Sequence, residues 1–191
     1  MNKDKNVLTN SLLKTSAFVK ITGAVIGVLS TIIDGILINR FLGNDAMSAY
    51  GLATPTMLFY IAFGGMFATG IQSIVGNAIG KGDKETINKT YTSTIIFSVI
   101  LSTILGVIFF AFSKPIAMLL GAKGEAAALL EETANYIKGY AICAPLAILQ
   151  YVLIVYVMLE GKGSLVTIGA ASLFVIDIVG DILNVFVFKK G

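Results

Sequence analysis

Long runs without charge constrain this sequence more than any other feature. No Asp, Glu, Lys or Arg falls between Asp45 and Lys81, and a second such run separates Lys89 from Lys114. A bilayer core of roughly 30 Å is crossed by about 20 apolar residues in a helix, because a helix pairs its backbone polar groups internally. Runs of this length therefore predict membrane-spanning helices.

Composition indicates the same class of protein. Of the 191 residues, 56% are hydrophobic and 13% are charged, and the mean hydropathy is +0.87. This balance lies outside the range of soluble domains. We predict an all-α polytopic membrane protein in which residues 1–191 form a single helical lobe. Its five spans are expected at about residues 15–39, 52–79, 90–113, 134–158 and 163–188.

Residue counts argue against several classes of function. The one cysteine, Cys143, cannot form an internal disulfide, and the absence of histidine removes the commonest metal ligand and general base. The net charge of +3 comes from scattered residues, which is not the pattern of a nucleic-acid surface. We therefore expect no enzymatic activity, no cofactor and no nucleic-acid partner. A signal peptide is the alternative for the first span, but no small-residue cleavage motif follows it and four more spans do.

Lysine and arginine are distributed unevenly over the segments between the spans. The N-terminal segment, the turn after the second span and the turn before the fifth carry more of them than the opposite set. Cytoplasmic segments of membrane proteins carry this excess. We expect a bacterial multi-pass protein of the cell membrane with its N-terminus in the cytoplasm.

Three carboxylates lie inside the predicted spans. Asp34 interrupts the first span, and Asp177 and Asp181 interrupt the fifth, with no Lys or Arg at comparable depth. A charged Asp near the centre of a span costs roughly 2.5 to 3.5 kcal/mol, and such groups usually pair or line an aqueous pathway. Without a basic partner, each must be protonated, hydrated or neutralised by a bound cation.

Helical spacing places these acids on matching faces and at matching depth. Asp177 and Asp181 are one turn apart, and Asn184 falls on the same stripe. At about 1.5 Å per residue, Asp34 lies about 9 Å below Arg40, and Asp181 and Asp177 lie roughly 12 and 18 Å below Lys189. All three are expected in the outer half of the membrane, where one site could include them.

Neutral oxygens accompany the first of these acids. Ser30 and Thr31 precede Asp34 by about one helical turn and could offer hydroxyl oxygens to a cation. The alternative for Asp34 is that it ends its helix near the interface, because "DG" can mark a turn. We predict no catalytic residue and no metal other than a possible Na⁺ at one cation site, formed by Asp34, Asp177, Asp181, Asn184 and Thr31.

Three ordered motifs resemble one transporter family. "IIDGILINRFLGNDAMSAYGLATP" (32–55) resembles the first-helix Asp and following loop of the multidrug and toxic compound extrusion (MATE) transporters. "GGMFATGIQSIVGNAIGKGDKETINKT" (64–90) is similar to their second helix, and "EGKGSLVTIGAASLFVIDIVGDILNVFVF" (160–188) to their fifth. By this resemblance, Asp34 and Asp181 match the first-helix and fifth-helix acids of the family. Asp177 stands where the family usually has Asn, which adds a negative charge to the site.

The resemblance implies a fold and a function. The family has twelve helices in two six-helix lobes and exports compounds against H⁺ or Na⁺ by alternating access. The five spans would then correspond to helices 1–5 of the N-terminal lobe, in a truncated N-terminal part whose partners are the missing sixth helix and C-terminal lobe. The implied function is coupled export of drugs or other lipophilic, often cationic small molecules across the lipid bilayer. It leaves the substrate-binding residues unassigned.

Three other functions remain open at the level of sequence. A flippase of lipid-linked precursors would share the helical bundle, but basic residues would be expected in its cavity to meet phosphate. A membrane scaffold fragment would need no acids within its spans. An intramembrane aspartyl enzyme could use two Asp that share a proton, but no motif of such enzymes is present.

Overall fold

The computed structural model describes the backbone of residues 2–183 and the side chains of residues 17–183. Every regular element in this part of the chain is helical, and five helices are long and apolar enough to cross a membrane. The prediction of an all-α polytopic membrane protein is therefore confirmed. The elements are α1 (Asn2–Phe41), α2 (Asn44–Lys81), α3 (Lys84–Ala111), α4 (Ser113–Leu119), a short 3₁₀ helix (Gly124–Leu129), α5 (Leu130–Leu159) and α6 (Gly163–Leu183).

The second span begins earlier than its sequence suggests. Residues of the "LGNDAMSAYG" segment favour a turn, but α2 already begins at Asn44, so Pro55 lies inside the helix and does not open it. Ala49 in this added stretch and Ala53 just after it are fully buried. Their packing outweighs the weak turn preference of the neighbouring Asn, Asp and Ser residues, because intrinsic propensities are small beside tertiary contacts.

A glycine lies in the tight turn before α3 and in the tight turn before α6. Gly82 separates α2 from α3 with φ +70°, and Gly161 separates α5 from α6 with φ +77°. Both angles lie in the left-handed region, where a side chain is strained and glycine is not. The chain can therefore reverse within two or three residues at each point.

Asp83 caps the N-terminus of α3. Its carboxylate accepts hydrogen bonds from the Thr86 backbone N–H at 3.0 Å and from the Thr86 hydroxyl at 2.6 Å. These bonds hold the pKa of the Asp83 carboxyl below its usual 3.8. Because the folded pKa is lowered, the cap stabilises α3 at neutral pH, and its contribution is lost as the pH falls through that lowered pKa.

α3 ends just before a proline-containing segment. α3 stops at Ala111, just before "SKP", and the chain continues as the seven-residue α4. Pro115 lies in the first turn of α4, where its missing N–H costs little. Lys114 of this helix forms an ion pair with Glu131 in the first turn of α5.

The described helices divide into two compact units. One contains α1 and α6, and the other is Asn44–Tyr156. The expectation that the chain forms a single lobe stays a prediction.

Small residues let the helices of the Asn44–Tyr156 unit approach closely. Ser98, Ser102 and Gly106 repeat every fourth residue of α3 and are buried. Each serine hydroxyl donates to a carbonyl of its own helix, so neither needs a partner elsewhere. A Cβ atom added at Gly106 would lie 2.6 Å from the carbonyl oxygen of Ala141 in α5. At this point the two helices touch backbone to backbone, as small residues allow in membrane proteins.

Candidate functional site

The three acids predicted to lie within spans are brought together where α1 packs against α6. The Ser30 hydroxyl donates a hydrogen bond of 3.0 Å to Oδ2 of Asp177. One turn further along both helices, the carboxyl groups of Asp34 and Asp181 lie within hydrogen-bonding reach of each other. The site therefore consists of two contacts stacked along one helix pair.

These two contacts also fix the relative direction of the helices. The sequence separation is 147 for Ser30 and Asp177, and it is the same for Asp34 and Asp181. Because the partner numbers increase together, α1 and α6 run in the same direction. The first and fifth crossings of a membrane must run this way, so the packing agrees with five spans.

The charge of this site is entirely negative. The Asp34 carboxyl interacts electrostatically with Asp177 and Asp181, and the Asp181 carboxyl interacts with Asp177. Asp34 and Asp181 are half-buried, whereas Asp177 is exposed within this unit. Two carboxylates within hydrogen-bonding reach repel unless a proton or a cation lies between them. The geometry can therefore hold one positive charge at the Asp34 and Asp181 pair.

The two hydroxyls of α1 differ in what they contact. The Thr31 hydroxyl donates to the carbonyl oxygen of Gly27 at 3.0 Å, a bond within its own helix. Ser30, one residue earlier, reaches the acids instead. The assignment of Thr31 as a cation ligand stays a prediction, and Asn184 lies outside the described residues. Both hydroxyls lie close to Asp34 in the sequence. The position of α6 determines that Ser30, and not Thr31, contacts an acid.

The three acids of this site are arranged as one close pair and a third, separate group. Within residues 17–183, no group of three or more Asp, Glu, Cys or His side chains is arranged to hold a metal ion. The acids instead form one close pair, Asp34 and Asp181, beside a third acid that the Ser30 hydroxyl contacts. A close pair of carboxyl groups is suited to sharing a proton.

Comparison with known proteins identifies relatives of this chain. The MatE family model matches residues 21–183. The chain is 29% identical over 168 residues to multidrug export protein MepA of Staphylococcus aureus (strain MSSA476), a match that covers 86% of this chain and 37% of that protein. It is 32% identical over 168 residues to MepA of Staphylococcus haemolyticus (strain JCSC1435), covering 85% and 36%. The chain thus spans little more than a third of these relatives. No solved structure matches.

Proposed function

We propose that this chain, which belongs to the MatE family, supplies the ion-binding helices of a cation-coupled multidrug exporter. The family membership confirms the resemblance of its motifs to MATE transporters. The chain belongs to a family of transporters, and we propose that it has no enzymatic activity. The observation that carries the proposal is the close pair of Asp34 and Asp181 between α1 and α6.

The coupling ion of this exporter is, in our proposal, a proton. The close carboxyl pair supports H⁺, because one proton shared by Asp34 and Asp181 removes their repulsion and satisfies both groups. Na⁺ prefers several oxygen ligands, whereas a shared proton needs only the two carboxyl groups. Thr31 would then have no metal to ligate.

Coupling requires only that ion and substrate favour different conformations. Binding of the ion removes the negative charge between α1 and α6, which stabilises the arrangement in which these helices are packed together. A lipophilic cation would bind better to the negatively charged form of the site. If each ligand shifts the protein toward its own conformation, uptake of the ion drives release of the drug.

We also propose how the chain is oriented in the membrane. The N-terminus lies in the cytoplasm, and the chain crosses the cell membrane with its acids in the outer half. An inward ion gradient can then load the site from outside. The complete transport cycle requires a sixth helix and a C-terminal lobe like those of the family.

A gradient experiment tests both the function and the ion. Inside-out vesicles carrying the complete exporter are incubated with a fluorescent drug. A proton gradient alone or a Na⁺ gradient alone is applied across the vesicle membrane. We expect accumulation with the proton gradient and none with Na⁺, because a shared carboxyl pair binds protons. Accumulation driven only by Na⁺ would identify the other ion. No accumulation under either gradient would contradict the proposed function.

Replacing the two hydroxyls of α1 separates their roles. Ser30→Ala removes the hydrogen bond to Asp177, and bonds to charged groups contribute about 1.5 to 3 kcal/mol. We expect drug efflux to fall about fivefold or more, within the range of coupling energies between sites. Thr31→Ala is the matched control, since its hydroxyl donates within its own helix, to the Gly27 carbonyl, and not to an acid among the described residues. Efflux assays with equal amounts of each variant would measure the difference, and a larger loss with Thr31→Ala would restore Thr31 as the ligand.

A further inference from the structure

The short helix α4 follows a membrane-spanning helix, and its outward side is apolar. Ser113 and Ala117, one turn apart, are buried on its inward side. Leu119 on the other side is 82% exposed. The exposed side chains without charge on that side are Phe112, Pro115, Met118 and Leu119. A surface helix that faces water carries polar residues on its outer side. This side of α4 therefore does not have the composition of a boundary with water.

The inward side of α4 fixes its level beside α5. Ala117 and the nearby Ala122 belong to one buried apolar cluster with Ala134 and Ile137. The half-buried ring of Tyr136 packs against the same cluster. α4 thus lies beside the first two turns of α5.

Two tyrosine pairs lie at opposite ends of the Asn44–Tyr156 unit. The rings of Tyr50 and Tyr136 meet edge to face with centroids 5.8 Å apart, and those of Tyr91 and Tyr156 with centroids 4.7 Å apart. Tyrosine is enriched at membrane–water interfaces, because its ring is apolar and its hydroxyl polar. Along α5, the two pairs are about 30 Å apart at about 1.5 Å per residue, which equals the thickness of a bilayer core. The pairs therefore indicate the two membrane boundaries.

α3 gives the same distance independently. From Tyr91 to Ala111, the last residue of α3, the helix rises about 30 Å. α3 therefore spans the whole bilayer core, and the chain reaches the second boundary where α4 begins. This is the level at which α4 packs beside Tyr136.

Lysine side chains lie close to both ends of α4. Lys114 in its first turn pairs with Glu131. Lys123, just beyond its end, is exposed and forms no ion pair within residues 17–183. Lysine at the end of a span extends its ammonium group toward the lipid headgroups while its carbon chain covers apolar surface. The positive charge of Lys123 is therefore available to lipid phosphate.

We propose that α4 lies in the membrane interface, with Phe112, Met118 and Leu119 inserted between the lipid headgroups and the acyl chains. A helix of this kind buries its apolar side about 5 to 10 Å into that boundary. The partner of this surface is thus the lipid bilayer itself. The proposal rests on the membrane-spanning fold and not on drug export.

Tryptophan fluorescence can test this placement, because the chain contains no tryptophan of its own. A single tryptophan is introduced by Leu119→Trp, and the purified full chain is placed in nanodiscs of brominated lipid. The bromine lies either near the headgroup end of the acyl chains or near their far end, and it quenches an indole that it contacts. Since an interfacial helix lies only about 5 to 10 Å deep, we expect the shallow bromine to quench more strongly than the deep bromine.

Exposed positions of α3 calibrate the depth. Ile100 lies about 14 Å along the helix from Tyr91, near the middle of the core, so the deep bromine should quench Ile100→Trp more strongly than the shallow one. Lys84 lies about 10 Å beyond Tyr91 on the other side, so neither bromine should quench Lys84→Trp appreciably. Met118→Trp, on the outward side of α4, should reproduce the result of Leu119→Trp and replaces it if that variant does not fold.

The order of quenching decides the outcome. Stronger quenching of the α4 tryptophan by the shallow bromine supports the proposal. The proposal is overturned if neither bromine quenches it, which would place this side of α4 in water or beneath protein. Equal quenching by the two lipids, or the deep order seen with Ile100→Trp, would also overturn it.

Discussion

Replacement of Asp34 by asparagine is expected to abolish coupled drug efflux. Asparagine keeps the size of the side chain and can hydrogen-bond, but it cannot bind and release a proton at neutral pH. The asparagine amide can donate to the Asp181 carboxylate, so the two groups would no longer need a shared proton and the gradient could no longer drive export. We expect efflux in cells expressing the complete exporter to fall about tenfold or more, as the coupling energies between sites allow.

Asp45→Asn provides the control for this variant. Asp45 is an exposed carboxylate in the first turn of α2, so the change removes the same charge away from the α1 and α6 contact. Its efflux should equal that of the wild type when the two proteins are present in equal amounts. Normal efflux by Asp34→Asn would remove this acid from the mechanism.

Replacement of Gly106 by alanine should strongly destabilise the Asn44–Tyr156 unit. The new Cβ would meet the Ala141 carbonyl oxygen at 2.6 Å, and this atom belongs to the backbone, so no rotamer change can relieve the clash. α3 and α5 would have to separate. We expect the free energy of unfolding to fall by about 1 to 3 kcal/mol, the usual cost of overpacking. Denaturant unfolding of the purified chain in detergent would measure it.

Gly65→Ala is the matched control for the packing experiment. Gly65 also lies within a long helix, but no atom outside its own turn lies within 4 Å of an added Cβ. Here the higher helix propensity of alanine should raise the free energy of unfolding by up to about 1 kcal/mol. Equal effects of the two substitutions would show that the contact between α3 and α5 does not depend on the absence of a side chain.

Local features of this chain were predictable, and contacts distant in sequence were not. Charge-free runs predicted the number of spans, because the length of such a run depends on neighbouring residues alone. The start of α2 at Asn44 was missed, since it depends on burial of Ala49 and Ala53. A composition typical of turns does not reveal such packing.

The candidate site shows the same division. The spacing of Asp177 and Asp181 predicted that they share a face, and depth counting predicted that Asp34 lies at their level. Sequence could not decide which of Ser30 and Thr31 reaches them, because adjacent residues of a helix point about 100° apart. That choice depends on where α6 packs around α1.

The repeat of Ser98, Ser102 and Gly106 has a mechanical consequence. Long side chains at a helix contact can change rotamer, which lets two helices slide or tilt while they remain packed. These three residues have almost no side chain to rearrange, and Gly106 rests directly on the backbone of α5. α3 and α5 should therefore be unable to slide past each other at Gly106 without separating. Any relative motion of the two helices should leave this one contact in place or break it completely.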